Sequence, residues 1–147
     1  MARPRMFDET TALAAAAATF RRHGYADTTT DQLCAAAGVG RGSLYNAFVS
    51  KDELFARALE QHLRVTSERE REVLEEPGRP GYERLRAVLE AIVDEEAAAS
   101  RAGHAAGCLI VGTLMNPDLR SRDERVAKSL ADDRRRRQAA VEHAVRA

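Results

Sequence analysis

Residues 28–51 read TTTDQLCAAAGVGRGSLYNAFVSK, and this stretch decides the fold. Thr29 followed three residues later by Gln32 is the pairing of a capping box, in which each side chain bonds the other residue's backbone N–H. A helix is therefore predicted from about Thr30, carrying Leu33, Cys34, Ala36 and Ala37. Gly38 ends it by supplying the left-handed residue that helix C-termini favour, and Val39 points inward to pack the turn. A second helix follows over Arg41–Phe48, with Leu44 and Phe48 four residues apart on its buried side. Its other side presents Arg41, Gly42, Ser43, Tyr45 and Asn46. Gly40 takes the N-cap position, an acceptable cap but one without a hydroxyl. Ser50 and Glu53 form another capping box and open a third helix.

Helix, tight glycine turn, helix is the helix-turn-helix plan, whose second helix enters the DNA major groove. The order Gly24-Tyr25, Thr28-Thr29, Leu33, Ala36-Ala37-Gly38-Val39, Gly42-Ser43-Leu44-Tyr45, Phe48, Ser50-Lys51 and Leu54-Phe55 resembles the N-terminal domain of the TetR family of bacterial transcriptional regulators. The resemblance covers about residues 5–60. It implies an all-α chain: a three-helix helix-turn-helix DNA-binding domain over residues 1–50, then a connecting helix and a helical ligand-binding and dimerisation domain over 51–147. Chains of this family are longer and use their last two helices to dimerise. This one ends inside or just after its last predicted helix, so its C-terminal domain is expected to be truncated. Three readings stay open: a fragment, a dimer through another surface, or a weak dimer.

Recognition of DNA divides into positioning on phosphates and reading of base edges. Thr29, Tyr45, Asn46 and Lys51 suit positioning, as donors beside helix N-termini or on the outer face, and the resemblance implies phosphate contacts at those four positions. Lys51 adds its ammonium to the free N–H groups of a helix start. Reading falls to Arg41, Gly42 and Ser43, with Tyr45 as a further candidate. Arg41 can donate twice to guanine O6 and N7, a contact worth about 1–3 kcal/mol of discrimination, or it can hold a phosphate instead. Gly42 lets the backbone approach closely.

The first helix is predicted from Asp8 or Glu9 to Gly24, with Leu13, Ala16, Ala17 and Phe20 buried. Before it, Arg3 and Arg5 lie on a basic arm that either reaches DNA or frays. Leu54, Phe55, Ala58, Leu59, Leu63 and Thr66 repeat at helical spacing and predict one long helix over residues 51–75. Pro77-Gly78-Arg79-Pro80-Gly81 reads as a linker. An amphipathic fifth helix runs to about Ser100, followed by a loop over Arg101–Gly107. Cys108–Met115 is apolar on nearly all sides and predicts a buried sixth helix; a seventh is predicted from about Ser121 onward. The resemblance makes the C-terminal helices a ligand-sensing domain, with Tyr82, Leu85, Leu89, Ile92, Cys108, Ile110, Leu114 and Met115 as candidate pocket walls; taken singly, each reads more readily as ordinary core. Few polar groups accompany them, so an effector would be mainly apolar.

Lys plus Arg equals Asp plus Glu at 23 each, but residues 1–51 carry six bases against four acids, a local +2 of the sign a DNA contact needs. No apolar run approaches the ~18 residues of a membrane span, and no signal peptide is evident, so a cytoplasmic protein is expected. Neither the two cysteines nor the four histidines show metal-ligand spacing. No Ser/His/Asp grouping, paired carboxylates or phosphate-cradling glycine loop suggests an enzyme, and no cofactor or metal is expected. The expected function is a transcriptional repressor that binds double-stranded palindromic operator DNA as a homodimer and is released by a small effector. The alternative is a truncated regulator acting as a protein-interaction module through mixed dimers.

Overall fold

The computed structural model describes residues 7–103 and 107–146; Arg3 and Arg5 lie outside them. Every regular element among the described residues is a helix: α1 Glu9–His23, α2 Thr30–Ala37, α3 Arg41–Phe48, α4 Lys51–Leu74, α5 Gly81–Arg101, α6 Leu109–Leu114, α7 Pro117–Arg122 and α8 Glu124–Arg146.

Local chemistry explains the boundaries of the first four. Asp8 caps α1 by accepting from the Thr10 N–H at 3.1 Å, and the basic Arg21, Arg22 and His23 occupy its last turn, where the helix dipole favours cations. The capping box at α2 is complete: the Gln32 N–H donates to Thr29 Oγ1 at 3.2 Å and the Thr29 N–H to Gln32 Oε1 at 2.8 Å. Gly38 takes the left-handed conformation at φ 68°. Ser50 caps α4 through the Glu53 N–H at 3.1 Å. Between α3 and α4, Val49 has φ 61° and ψ −47° and stands exposed, while the Ser50 N–H bonds the Phe48 carbonyl. That is a tight γ-like turn on a β-branched residue, a strained choice.

Helix α4 is the axis. Leu54, Phe55, Ala58, Leu59 and Leu63 are buried along it, and it packs most extensively on α8 and α1. Phe20, Tyr25 and Phe55 form an aromatic knot at its N-terminal end, with the Phe20 and Phe55 rings edge to face at 5.0 Å. The Pro/Gly segment after α4 is fastened by Arg84, a buried guanidinium that donates to the Arg79 carbonyl at 2.6 Å and the Leu74 carbonyl at 3.1 Å. Gly81 then starts α5 hard against α8: a Cβ there would overlap the carbonyl oxygen of Ala144, a fully buried residue.

Two expectations need correction here. The segment 108–115 is not a buried helix. Its helical part is the single short α6, of which Leu109 and Thr113 are buried, while Val111, Leu114 and Met115 are exposed. The last helix begins at Glu124 rather than Ser121, and a separate α7 precedes it. Asn116 caps α7 by accepting from the Leu119 N–H at 3.2 Å, with Pro117 in its first turn, so Asn-Pro starts a helix as well as ending one. Asp123 breaks the chain in an extended conformation and accepts from the Arg125 N–H at 2.9 Å, which opens α8.

Candidate nucleic-acid interface

Helices α2 and α3 are held to α1 and α4 by Leu33, Leu44 and Phe48, all buried, with Cys34 and Val39 partly buried beneath the turn. Burying Leu44 and Phe48 fixes the rotation of α3. Arg41, Gly42, Ser43, Tyr45 and Asn46 are then exposed together on the far side, with Thr29 exposed at the start of α2. No atom lies close enough to Gly42 to meet a Cβ there, so its outer face is open.

Several of these groups already have partners. Arg41 donates from Nε at 3.1 Å and from Nη2 at 3.0 Å to one Asp31 carboxylate oxygen on α2. The Tyr45 hydroxyl lies 2.9 Å from Thr30 Oγ1, which ties the phenol across the turn. Lys51 Nζ sits 4.5 Å from the centroid of the Tyr25 ring, a cation–π contact at the start of α4. Arg122, on α7, places its guanidinium 5.2 Å from the same ring. The Tyr25 hydroxyl donates to Asp52, and burial, reinforced by that carboxylate, pushes the phenol up to about 12, so it remains a donor at neutral pH. Behind the surface, Arg125 of α8 bonds Glu53 of α4 at 2.5 Å and Asp123 at 2.6 Å.

Three participants escaped the sequence reading. In the sequence Asp31 is only an acid in the first turn of α2, Tyr25 only an aromatic beside the glycine that ends α1, and Arg122 one arginine in a stretch with no pattern. Their roles depend on contacts between elements distant in sequence.

Over part of its length the chain is similar to the TetR-family helix-turn-helix domain. Residues 12–58 match the model of the bacterial regulatory proteins of the tetR family. A Bacillus subtilis (strain 168) protein, the uncharacterized HTH-type transcriptional regulator YhgD, is 34% identical over 82 residues, which are 56% of this chain and 42% of YhgD. The matched region is thus less than half of that relative. Among solved structures, the reduced form of NemR from E. coli superposes with a TM-score of 0.74 at 22% identity, over 93% of this chain and 69% of NemR, a likeness of fold. A cysteine-substituted form of the TetR family transcriptional regulator CifR, complexed with 26-bp double-strand operator DNA, superposes at 0.68 with 28% identity, over 99% of this chain and 72% of CifR.

The matched region, residues 12–58, contains all seven residues expected to contact DNA, at the start of α2, in α3 and at the start of α4. The eight expected on a ligand pocket lie elsewhere, and the structure does not enclose them. Tyr82, Leu89 and Ile92 stand on an exposed face of α5, Tyr82 at 69% exposure, with Leu85 half-buried beside them. Cys108, Leu114 and Met115 are exposed and Ile110 is half-buried. Helix α6 packs mainly on α7, α1 and α4. A cavity of about 700 Å³ does exist, but none of the eight lines it. Among the described residues no three His, Cys, Asp or Glu side chains are grouped to hold a metal ion, and no helix is long and apolar enough to cross a membrane.

Proposed function

We propose that this protein is a sequence-specific DNA-binding transcriptional regulator that represses from a palindromic operator. The observation that carries this reading is the rotation of α3: with Leu44 and Phe48 buried, Arg41, Ser43, Tyr45 and Asn46 share one exposed face. In this reading α3 lies in the major groove, Arg41 donates to guanine or to a phosphate, and Ser43 reads a neighbouring base edge. Thr29, Tyr45, Asn46 and Lys51 hold phosphates on either side, and Gly42 admits the backbone. CifR, bound to operator DNA in its solved complex, supports this placement by its similarity to the chain.

A palindrome requires two copies about one helical turn, ~34 Å, or a multiple apart. The exposed apolar face of α5, with Leu89, Ile92 and Val93, supports association through this part of the chain. A small, mainly apolar effector that favours a dimer with wrongly spaced α3 helices would release the operator, by no more than its differential affinity for the two forms.

The test is a selection of random double-stranded DNA fragments on the purified chain, with the mass in solution recorded on the same sample. A palindrome bound by a dimer is the expected result. A monomer with weak, sequence-blind, salt-sensitive binding overturns the repressor reading.

A further inference from the structure

A cavity of about 700 Å³ lies between α1, α2 and α4, with Ala99 of α5 at one side. Its volume falls within the range of small-molecule sites. It owes its room to small side chains. Ala14 and Ala18 face it from α1 and Ala35 and Ala36 from α2, where larger residues would close the groove between the two helices.

The ionisable side chains on its walls are all bases: Arg21, Arg22, His23 and His62. Two rows of α1, each at four-residue spacing, line it: Ala14, Ala18 and Arg22, and Ala15, Thr19 and His23. Each begins in alanine and ends in a base at the helix C-terminus, and eight residues at 1.5 Å each span about 12 Å. His62 enters from α4. No carboxylate lines the cavity, although the chain holds as many acids as bases. The helix dipole accounts for bases in the last turn of α1. It does not account for the absence of acids on the walls supplied by α2 and α4.

The other polar side chains on the walls are engaged. Arg21 bonds Glu96 at 2.5 Å and the Gly107 carbonyl at 2.7 Å; Gln61 donates to the Thr10 carbonyl; the Thr19 hydroxyl bonds the Ala15 carbonyl. Among the described residues, Arg22, His23 and His62 make no side-chain hydrogen bond or ion pair. An apolar trough of alanines with unengaged nitrogen donors on its walls is complementary to a short acyl tail bearing a carboxylate.

We propose that this cavity binds a small amphipathic carboxylate, its tail along the α1 and α2 alanines and its anionic head on Arg22. The site joins the helix-turn-helix to α4 and α5, shares no residue with the α5–α6 set considered above, and does not rest on the regulator reading. Its test is made without DNA.

Isothermal titration of the full chain with decanoate, below its micelle concentration, is compared with decan-1-ol. We expect one decanoate per chain and roughly tenfold weaker binding of the alcohol, a ratio that corresponds to about 1.4 kcal/mol. Ala18→Phe should fill the trough and abolish binding of both. Ala35→Leu fills it from the opposite wall and serves where Ala18→Phe fails to fold by circular dichroism. Arg22→Gln should bring decanoate down to the level of the alcohol and leave the alcohol unchanged, and Leu89→Ser on the α5 face should change neither. No binding, equal binding of acid and alcohol, or loss through Leu89→Ser with the filled variants unaffected would each overturn the proposal.

Discussion

Arg41 of α3 is bonded to Asp31 of α2 through two nitrogens on one carboxylate oxygen, at 3.0 and 3.1 Å. The base-reading candidate is therefore held by an acid of its own domain, and reaching a guanine means leaving it. Both side chains are mostly exposed, so the pair is worth only about 0.3–1 kcal/mol. We expect Asp31→Asn to tighten binding to the selected operator by about two- to fivefold, an effect that includes removing a negative charge near phosphate. Fluorescence anisotropy against operator and scrambled duplexes checks it. Equal or weaker binding would show that the carboxylate helps hold Arg41 for its contact.

Arg41→Ala and Lys51→Ala should separate reading from positioning. The first should cost about 1–3 kcal/mol at one base pair and relax preference there. The second should weaken all sequences alike and reduce the slope of log affinity against log salt by about one. Identical effects would remove the distinction between the two residues.

Gly81→Ala has a predicted sign that depends on the fold. Helix propensity alone would make the alanine more stable by up to about 1 kcal/mol. The Ala144 carbonyl occupies the space the new methyl needs, so we expect a net loss of about 1–3 kcal/mol in urea unfolding.

His62 provides a pH test. Burial pulls its pKa below the ordinary histidine value; Glu95 and Asp133 oppose this, and Arg21 and Arg137 add to it. The folded chain thus takes up this proton less readily than the unfolded chain. Stability from this group is full above the unfolded value, near pH 6.5, and is lost as pH falls through the lower folded value. We expect His62→Gln to flatten the fall in unfolding free energy between neutral and mildly acidic pH. An unchanged slope would place the acid sensitivity in other groups.

The helix-turn-helix was legible because its determinants are local. Thr29 with Gln32, Gly38, and Ser50 with Glu53 each act within one turn of chain: the first pair forms its full capping box and Gly38 its left-handed cap, whereas at α4 only the Ser50 half forms, since the Glu53 carboxylate goes to Arg125 and the Ser50 N–H to the Phe48 carbonyl. The C-terminal half was less legible. Periodicity shows that Leu89 and Ile92 share an apolar stripe, but not whether anything covers it, and here they are exposed. Asn116-Pro117 fits the end of one helix and the start of another, and the choice turns on where Leu119 can be buried. By spacing alone, the four consecutive bases Arg134–Arg137 predict a solvated face. Arg137 instead turns inward to Asp133, Glu70 and Thr66, because α8 lies along α4.

Pro77–Gly81 has the composition of a hinge, yet Arg84 grips the carbonyls at both ends of the turn and Gly81 is wedged beneath α8. The segment works as a rivet. Helices α4, α5 and α8 are thereby fastened to one another, and the stretch whose composition most suggests a swivel is one of the fixed points of the fold.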